Sequence, residues 1–157
     1  MEKLANTIKM FVAITKTLDD ESTRFTGIFK HEQKKAFTNL LNSITLFNST
    51  VKANMYVTDI DECEKIQDYI HGLIYDMIND GAKDLNIFIG FCRVLKTMYL
   101  KYVYSDYKHK DRLMFVQLYN NANYFTNTFS NDLQINTDIE NFCLTLITGE
   151  TFTRIIK

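Results

Sequence analysis

Residues 31–55 read HEQKKAFTNLLNSITLFNSTVKANM, and their apolar side chains recur at intervals of three and four residues. The positions that follow this spacing are Phe37, Leu40, Leu41, Ile44, Phe47, Val51 and Met55. An α-helix turns once in about 3.6 residues, so this spacing places the apolar side chains on one helical face. The stretch therefore predicts a long amphipathic helix with one face in a hydrophobic core.

Two neighbouring segments have the same kind of spacing. Residues 3–18 form an amphipathic pattern, and a third pattern runs from Ile60 to Met77. Residues 19–31 contain several polar residues and Gly27, which is typical of a loop. Gly81 follows Asn-Asp at the end of the third pattern, and this predicts a left-handed C-cap.

The composition also favours helices. The chain of 157 residues has no proline and five glycines. Proline ends helices and is common in turns and edge strands, so its absence is typical of long helices joined by short connections. A single domain has ~100–200 residues. We therefore predict an all-α fold of six helices in one domain that spans residues 1–157.

The second half of the chain repeats the pattern of the first. Residues 107–128 align with 29–50 at a constant offset of 78, and seven of the 22 positions are identical. The identical pairs are Lys30 and Lys108, His31 and His109, Phe37 and Phe115, Leu40 and Leu118, Asn42 and Asn120, Phe47 and Phe125, and Thr50 and Thr128. After a shift of two residues, Lys3, Asn6, Phe11, Lys16 and Thr17 align with Lys83, Asn86, Phe91, Lys96 and Thr97. This predicts an internal duplication, with repeats 1–79 and 80–157 packed together in a six-helix bundle.

An acidic cluster, TDIDE at 58–62, precedes the third apolar pattern. It lacks the glycine that a calcium loop of the EF-hand type needs at its sixth position. Thr58 followed by Asp61 fits a helix N-cap, and Thr137 followed by Glu140 repeats this arrangement as a capping box. We therefore expect a helix to start at each threonine, and we expect no metal site.

The chain offers little for catalysis. The histidines, His31, His71 and His109, have no neighbouring Ser, Cys or Asp that would form a nucleophile arrangement, and the glycines form no phosphate loop. His31 and His109 are expected at helix starts. The widely spaced cysteines match no metal signature, which predicts buried free thiols at Cys63, Cys92 and Cys143. We expect neither an enzyme nor a cofactor.

Residues 96–112, KTMYLKYVYSDYKHKDR, interleave aromatic and basic side chains. The candidate site residues are Tyr99, Lys101, Tyr102, Tyr104, Tyr107, Lys108, Lys110 and Arg112. Tyrosines are enriched at protein interfaces, and tyrosines beside cations also suit nucleic acid, through base stacking and phosphate contacts. A third interpretation places Tyr99 and Tyr102 in the core of the fourth helix, with the lysines in solvent. The sequence leaves these three interpretations open.

Charge and hydropathy limit the classes of function that we expect for the chain. Eighteen Lys and Arg against 19 Asp and Glu give a net charge of −1, which provides no global attraction for nucleic acid. The first twenty residues show no signal peptide, and apolar runs are far shorter than the ~20 residues of a membrane span, so we expect a cytoplasmic protein without membrane insertion.

High Asn, Lys, Ile, Phe and Tyr usage is typical of an AT-rich phage or viral genome. We expect a non-enzymatic accessory or structural protein that offers a helical surface to a protein partner and to a second copy of itself. A nucleic-acid-binding module is the alternative.

Overall fold

The computed structural model describes residues 2–54, 60–104, 112–129 and 133–148. Over these ranges the chain is all-α, with six α-helices and no strand, as predicted. The helices are α1 (Glu2–Glu21), α2 (His31–Asn54), α3 (Ile60–Asn79), α4 (Asp84–Met98), α5 (Arg112–Thr126) and α6 (Leu133–Thr148). Two 3-10 turns, Ser22–Arg24 and Thr26–Ile28, connect α1 to α2, and a π-helical turn, Tyr99–Val103, continues α4.

Helices α1 and α4 lie in the middle of the fold. Every residue from Met10 to Thr15 of α1 is buried, and so is every residue from Ile87 to Cys92 of α4. Helix α1 contacts α2, α3, α4 and α6, while α4 contacts α1, α5 and α6. From Ile8 onward the apolar side chains of the pattern are buried as expected, but neighbours enclose the middle of the helix on all sides. The exposed residues of α1 that the structure describes, Asp19 and Asp20, lie near its C-terminal end.

Helices α2 and α5 run antiparallel, and phenylalanine rings join them. The ring centroids of Phe37 and Phe125 lie 5.1 Å apart, and those of Phe47 and Phe115 lie 5.3 Å apart. Phe11 of α1 contacts the second pair, at 5.8 Å from Phe47 and 5.2 Å from Phe115. The predicted stripe of α2 is buried at Phe37, Leu40, Ile44, Phe47 and Val51 and half-buried at Leu41. Met55 lies outside the described residues.

The end of α3 has the predicted glycine cap. Gly81 has a φ of 100°, which belongs to the left-handed region. The backbone N–H of Ala82 donates to the carbonyl of Met77, and the N–H of Gly81 donates to that of Ile78, both at 3.0 Å. These two bonds form a Schellman motif and satisfy carbonyls that the end of the helix leaves without partners.

The predicted helix starts have three different outcomes. His31 is the first residue of α2, as expected. The capping box at Thr137 and Glu140 is wrong, because α6 already begins at Leu133 and both residues lie inside it. Residues 133–136, LQIN, contain no proline or glycine, so the helix extends upstream of the threonine. The N-cap predicted at Thr58, the predicted helix start at His109 and Gly149 lie outside the described residues.

Candidate interaction surfaces

The tyrosine and lysine stretch is divided between the core and the surface. Tyr99 is buried, with its ring 4.9 Å from that of Tyr119, and Tyr102 is half-buried against the core. Lys101 is exposed, and Tyr104 is 57% exposed. These positions match the interpretation that assigned Tyr99 and Tyr102 to the core. The remaining candidates at Tyr107, Lys108 and Lys110 lie outside the described residues.

Tyr104, which is exposed, lies against Arg112, which is half-buried. The guanidinium carbon of Arg112 lies 5.3 Å from the centre of the Tyr104 ring, within the range of a cation–π contact. Leu100 and Leu113 are also exposed large apolar side chains. The structure thus brings a tyrosine, an arginine and two leucines to the surface at the α4 and α5 ends.

A π-helical turn, Tyr99–Val103, lies within the tyrosine and lysine stretch. The N–H of Tyr104 donates to the carbonyl of Tyr99 at 2.8 Å, which is the five-residue bond of a π-helix. Such a turn changes the helical register after Met98. Tyr99 and Val103 are buried, while Leu100, Lys101 and Tyr104 are exposed. Helical periodicity alone places Tyr99 and Val103 on the face opposite Lys101 and Tyr104, but the sequence YLKYV carries no marker for the π-helical turn itself.

A second surface, which the sequence reasoning missed, lies on α2 and α5. The sequence has no charged residue from 36 to 51 or from 113 to 131. The two helices pack side by side, so these segments form one continuous surface. We define the uncharged α2–α5 face by its exposed residues Thr38, Asn39, Asn42, Thr45, Leu46, Ser49, Leu113, Asn120 and Tyr124. Soluble surfaces normally carry ~25–35% charged residues, so this face differs from an ordinary solvated surface.

A groove of about 370 Å³ runs between α2 and α5 on this face. It is lined by Asn39, Asn42, Ser43, Leu46, Gln117 and Asn121. Four of these side chains are carboxamides, each of which can donate and accept hydrogen bonds. The Ser43 hydroxyl is used internally, because it donates to the carbonyl of Leu40 at 2.8 Å. The groove can therefore hydrogen-bond to polar groups without requiring a charged ligand.

Charged residues border the face. Lys34 and Lys35 are exposed in the first turns of α2, and Arg112 begins α5. An uncharged centre with a charged border is the usual anatomy of a protein interface. The signal for this face was present in the sequence, as two long segments without charge. Recognising the face also requires knowing that the two segments are neighbours in the fold.

Within the described residues, Glu62 of the acidic cluster and the three cysteines are held inside the fold. Glu62 forms an ion pair with Lys9 of α1, at 2.5 Å between Oε2 and Nζ. In the described ranges, no three His, Cys, Asp or Glu side chains are arranged to hold a metal ion.

All three cysteines are buried thiols, as predicted, and burial raises the pKa of Cys92 and of Cys143. These two thiols are therefore neutral and poorly nucleophilic.

A small crevice lies between α1, α3 and α4, beneath the side chain of Arg24. The guanidinium of Arg24 pairs with Glu21 at 2.6 Å and with Asp84 of α4, and these contacts raise its pKa. The space has a volume of about 20 Å³ and lies against Leu18 and Phe88. That volume admits about one water molecule, so the crevice is too small for a substrate.

Comparison with protein-family models, with curated proteins and with solved structures finds no match. Within the part of the chain that the structure describes, no helix is long and apolar enough to cross a membrane. The functional interpretation consequently depends on the two surfaces of α2, α4 and α5.

Proposed function

We propose that this protein is a non-enzymatic helical interaction protein that binds a protein partner through the uncharged α2–α5 face. The observation that carries this proposal is the lack of charge across two adjacent helices. Interface centres are depleted of charged residues and enriched in aromatic ones. Leu46 and Tyr124 are 47% and 52% exposed on the face and provide apolar anchors. An accessory or structural role in a phage or virus remains a prediction from composition.

The face binds a partner through two kinds of contact. Leu46, Leu113 and Tyr124 present large apolar groups, and the burial of such groups supplies most of the binding energy at an interface. The carboxamides of the groove hydrogen-bond to polar groups of the partner, so that those groups are not buried without partners. Because neither kind of contact depends on charge, the binding should respond weakly to salt.

Photo-crosslinking tests the proposal. A photoreactive amino acid replaces Leu46 on the face in one variant and Tyr75, which is 67% exposed on α3, in the control variant. Both positions are open to solvent, so they differ in location and not in access. We expect a protein adduct in cells from position 46 and none from position 75. Adducts from position 75 alone, or from neither position, would contradict the proposal.

Nucleic-acid binding is the second candidate, and the exposed Lys101 and Tyr104, with the neighbouring Arg112, favour it. Binding of a fluorescent single-stranded oligonucleotide tests it by anisotropy. Phosphate-driven binding should weaken by orders of magnitude between about 50 mM and about 200 mM salt, and Tyr104→Ala should weaken it further through lost stacking. No binding at the lower salt concentration would eliminate this candidate.

We also propose that the six helices form a bundle of two similar three-helix halves. Helix α1 packs on α2 and α3 as α4 packs on α5 and α6, which supports this arrangement. The offset of 78 exchanges Phe37 with Phe115 and Phe47 with Phe125. If each phenylalanine is replaced by its counterpart, the pair Phe37–Phe125 becomes the pair Phe115–Phe47. Both ring contacts are present, at 5.1 and 5.3 Å. This exchange is expected of halves related by a pseudo-twofold axis.

The ring contacts refine the alignment of α1 with α4. Phe11 contacts Phe47 and Phe115. In the other half, Phe88 contacts Phe37 at 5.7 Å and Phe125 at 6.5 Å. Phe88, rather than the Phe91 of the sequence alignment, is thus the structural counterpart of Phe11. Superposing α1–α3 on α4–α6 should match helix order and packing, and a different packing would contradict the duplication.

A further inference from the structure

On the basis of the proposed function, we propose that the partner on the uncharged α2–α5 face is a second copy of this chain. Most soluble oligomers are homo-oligomers, and twofold dimers are the commonest of them. In such a dimer the same face of both copies meets, so the face must be complementary to itself. Its chemistry meets this requirement.

The polar groups of the face are self-complementary. Asn39, Asn42, Gln117 and Asn121 each carry an amide that donates and a carbonyl that accepts. Two identical sets of carboxamides can therefore hydrogen-bond to each other. Carboxylates alone or ammonium groups alone could not do so, because each would meet its own charge across the axis. The lack of charge from 36 to 51 and from 113 to 131 removes this repulsion.

The size of the face suits a modest dimer interface. The charge-free segment of α2 is about 24 Å long, at about 1.5 Å per residue. Two packed helices are about 20 Å wide, since their axes lie about 8–10 Å apart. The projected area is roughly 480 Å², whereas a standard interface buries about 800 Å² of accessible surface on each partner. The accessible area of the face exceeds this projected area because its side chains protrude, but the interface stays below the standard size. We expect a dissociation constant in the micromolar range.

The position of Asn42 allows a sharp test. Asn42 is exposed, lines the groove and lies near the middle of the charge-free segment of α2. In a twofold dimer a residue near the centre of the interface lies close to its own copy. Asn42→Lys and Asn42→Asp should each weaken the dimer at least tenfold, because each buries two like charges. An equimolar mixture of the two variants should restore the dimer, since opposite charges then meet.

Sedimentation equilibrium of the full chain, from about 1 µM upward, measures these dissociation constants. The matched controls are Asn79→Lys and Asn79→Asp at the exposed end of α3, which should leave the dimer unchanged. Circular dichroism confirms that each variant is helical. A monomer at every concentration would overturn the inference. A dimer that is insensitive to both Asn42 variants, or a mixture without restoration, would also overturn it.

The crosslinking experiment at Leu46 separates this inference from the proposed function. An adduct with the mass of two copies of the chain supports the second copy as the partner. An adduct with a different protein overturns the second copy but leaves the proposed function standing. The lack of any adduct at position 46 overturns both proposals.

Discussion

The ring of Phe47 on α2 stands edge-to-face against the ring of Phe115 on α5, with centroids 5.3 Å apart and planes at 72°. Both side chains are fully buried. Aromatic pairs in this geometry contribute about 0.5–1.5 kcal/mol beyond the burial of their surface. The pair lies beneath the uncharged α2–α5 face and holds the two helices of that face together.

A double-mutant cycle measures this contact. We expect Phe47→Leu and Phe115→Leu each to lower the free energy of unfolding by about 1–3 kcal/mol. The double variant should lose less than the sum of the two, by about 0.5–1.5 kcal/mol, because the second change removes a contact already lost. Urea unfolding gives all the values. Phe25→Leu combined with Phe47→Leu is the control and should be additive, since Phe25 packs on Phe88 elsewhere. Additive losses at Phe47 and Phe115 would contradict the coupling.

The sequence predicted the buried stripe of α2 because helical periodicity follows directly from backbone geometry. Phe37, Leu40 and Phe47 needed no knowledge of the neighbouring helices. The cap at Gly81 was predictable for a similar reason, because glycine readily adopts the left-handed backbone conformation that ends a helix. The capping box at Thr137 failed because a Thr-x-x-Glu pattern also occurs inside helices. Local chemistry identifies a compatible cap but does not show that the helix begins there.

The candidate surfaces depend on tertiary structure, which local patterns do not contain. Tyr99 and Tyr104 have similar neighbours in the sequence, yet the first is buried and the second exposed, because only one face of this helix packs against the core. The two charge-free segments, 36–51 and 113–131, are far apart in the chain. They become one surface only because α2 and α5 pack together. The sequence similarity of 29–50 and 107–128 is the feature that could have drawn attention to these two segments together.

Gly81 and Gly72 should respond in opposite directions to alanine. Gly81 has a φ of 100°, which L side chains rarely adopt, and Gly72 lies inside α3. Apart from the adjoining residues of the chain, no heavy atom lies within 4 Å of a Cβ added at either position, so backbone conformation decides both outcomes. Gly81→Ala should lower the free energy of unfolding by about 1–2 kcal/mol, while Gly72→Ala should raise it by about 0.5–1 kcal/mol. Thermal unfolding of the two variants checks the contrast, and stabilisation by Gly81→Ala would contradict it.

The buried cysteines should be unreactive in the folded protein. Burial raises the pKa of Cys92 and of Cys143, which keeps both thiols protonated, and Cys63 is also buried. Ellman's reagent should therefore react slowly with the native chain and promptly with all 3 thiols after denaturation. Asn79→Cys adds an exposed thiol as the control, which should react at once in the native protein. Prompt reaction of the unmodified native chain would show that one of the buried sites opens readily.

Because of Lys96, the free energy of unfolding should vary with pH in the alkaline range. Desolvation by burial, with a smaller effect of Arg93, lowers the pKa of Lys96, and Glu140 partly opposes this. Its Nζ also donates to the Thr126 hydroxyl at 3.4 Å. The folded state therefore binds this proton more weakly than the unfolded state, whose pKa is about 10.4. The unfavourable charge acts in full below the folded pKa and disappears as the pH rises past the unfolded pKa, so stability rises with pH in that window.

Lys96→Met removes this dependence while it keeps the length of the side chain. We expect the variant to be more stable than the natural chain near neutral pH, with the difference shrinking as the pH approaches about 10.5. Urea unfolding at a series of pH values measures the difference. Lys101→Met, at an exposed position on the same stretch, is the control for the loss of a surface charge. If Lys96→Met is less stable than the natural chain at neutral pH, the hydrogen bond to Thr126 outweighs the desolvation and the prediction is wrong.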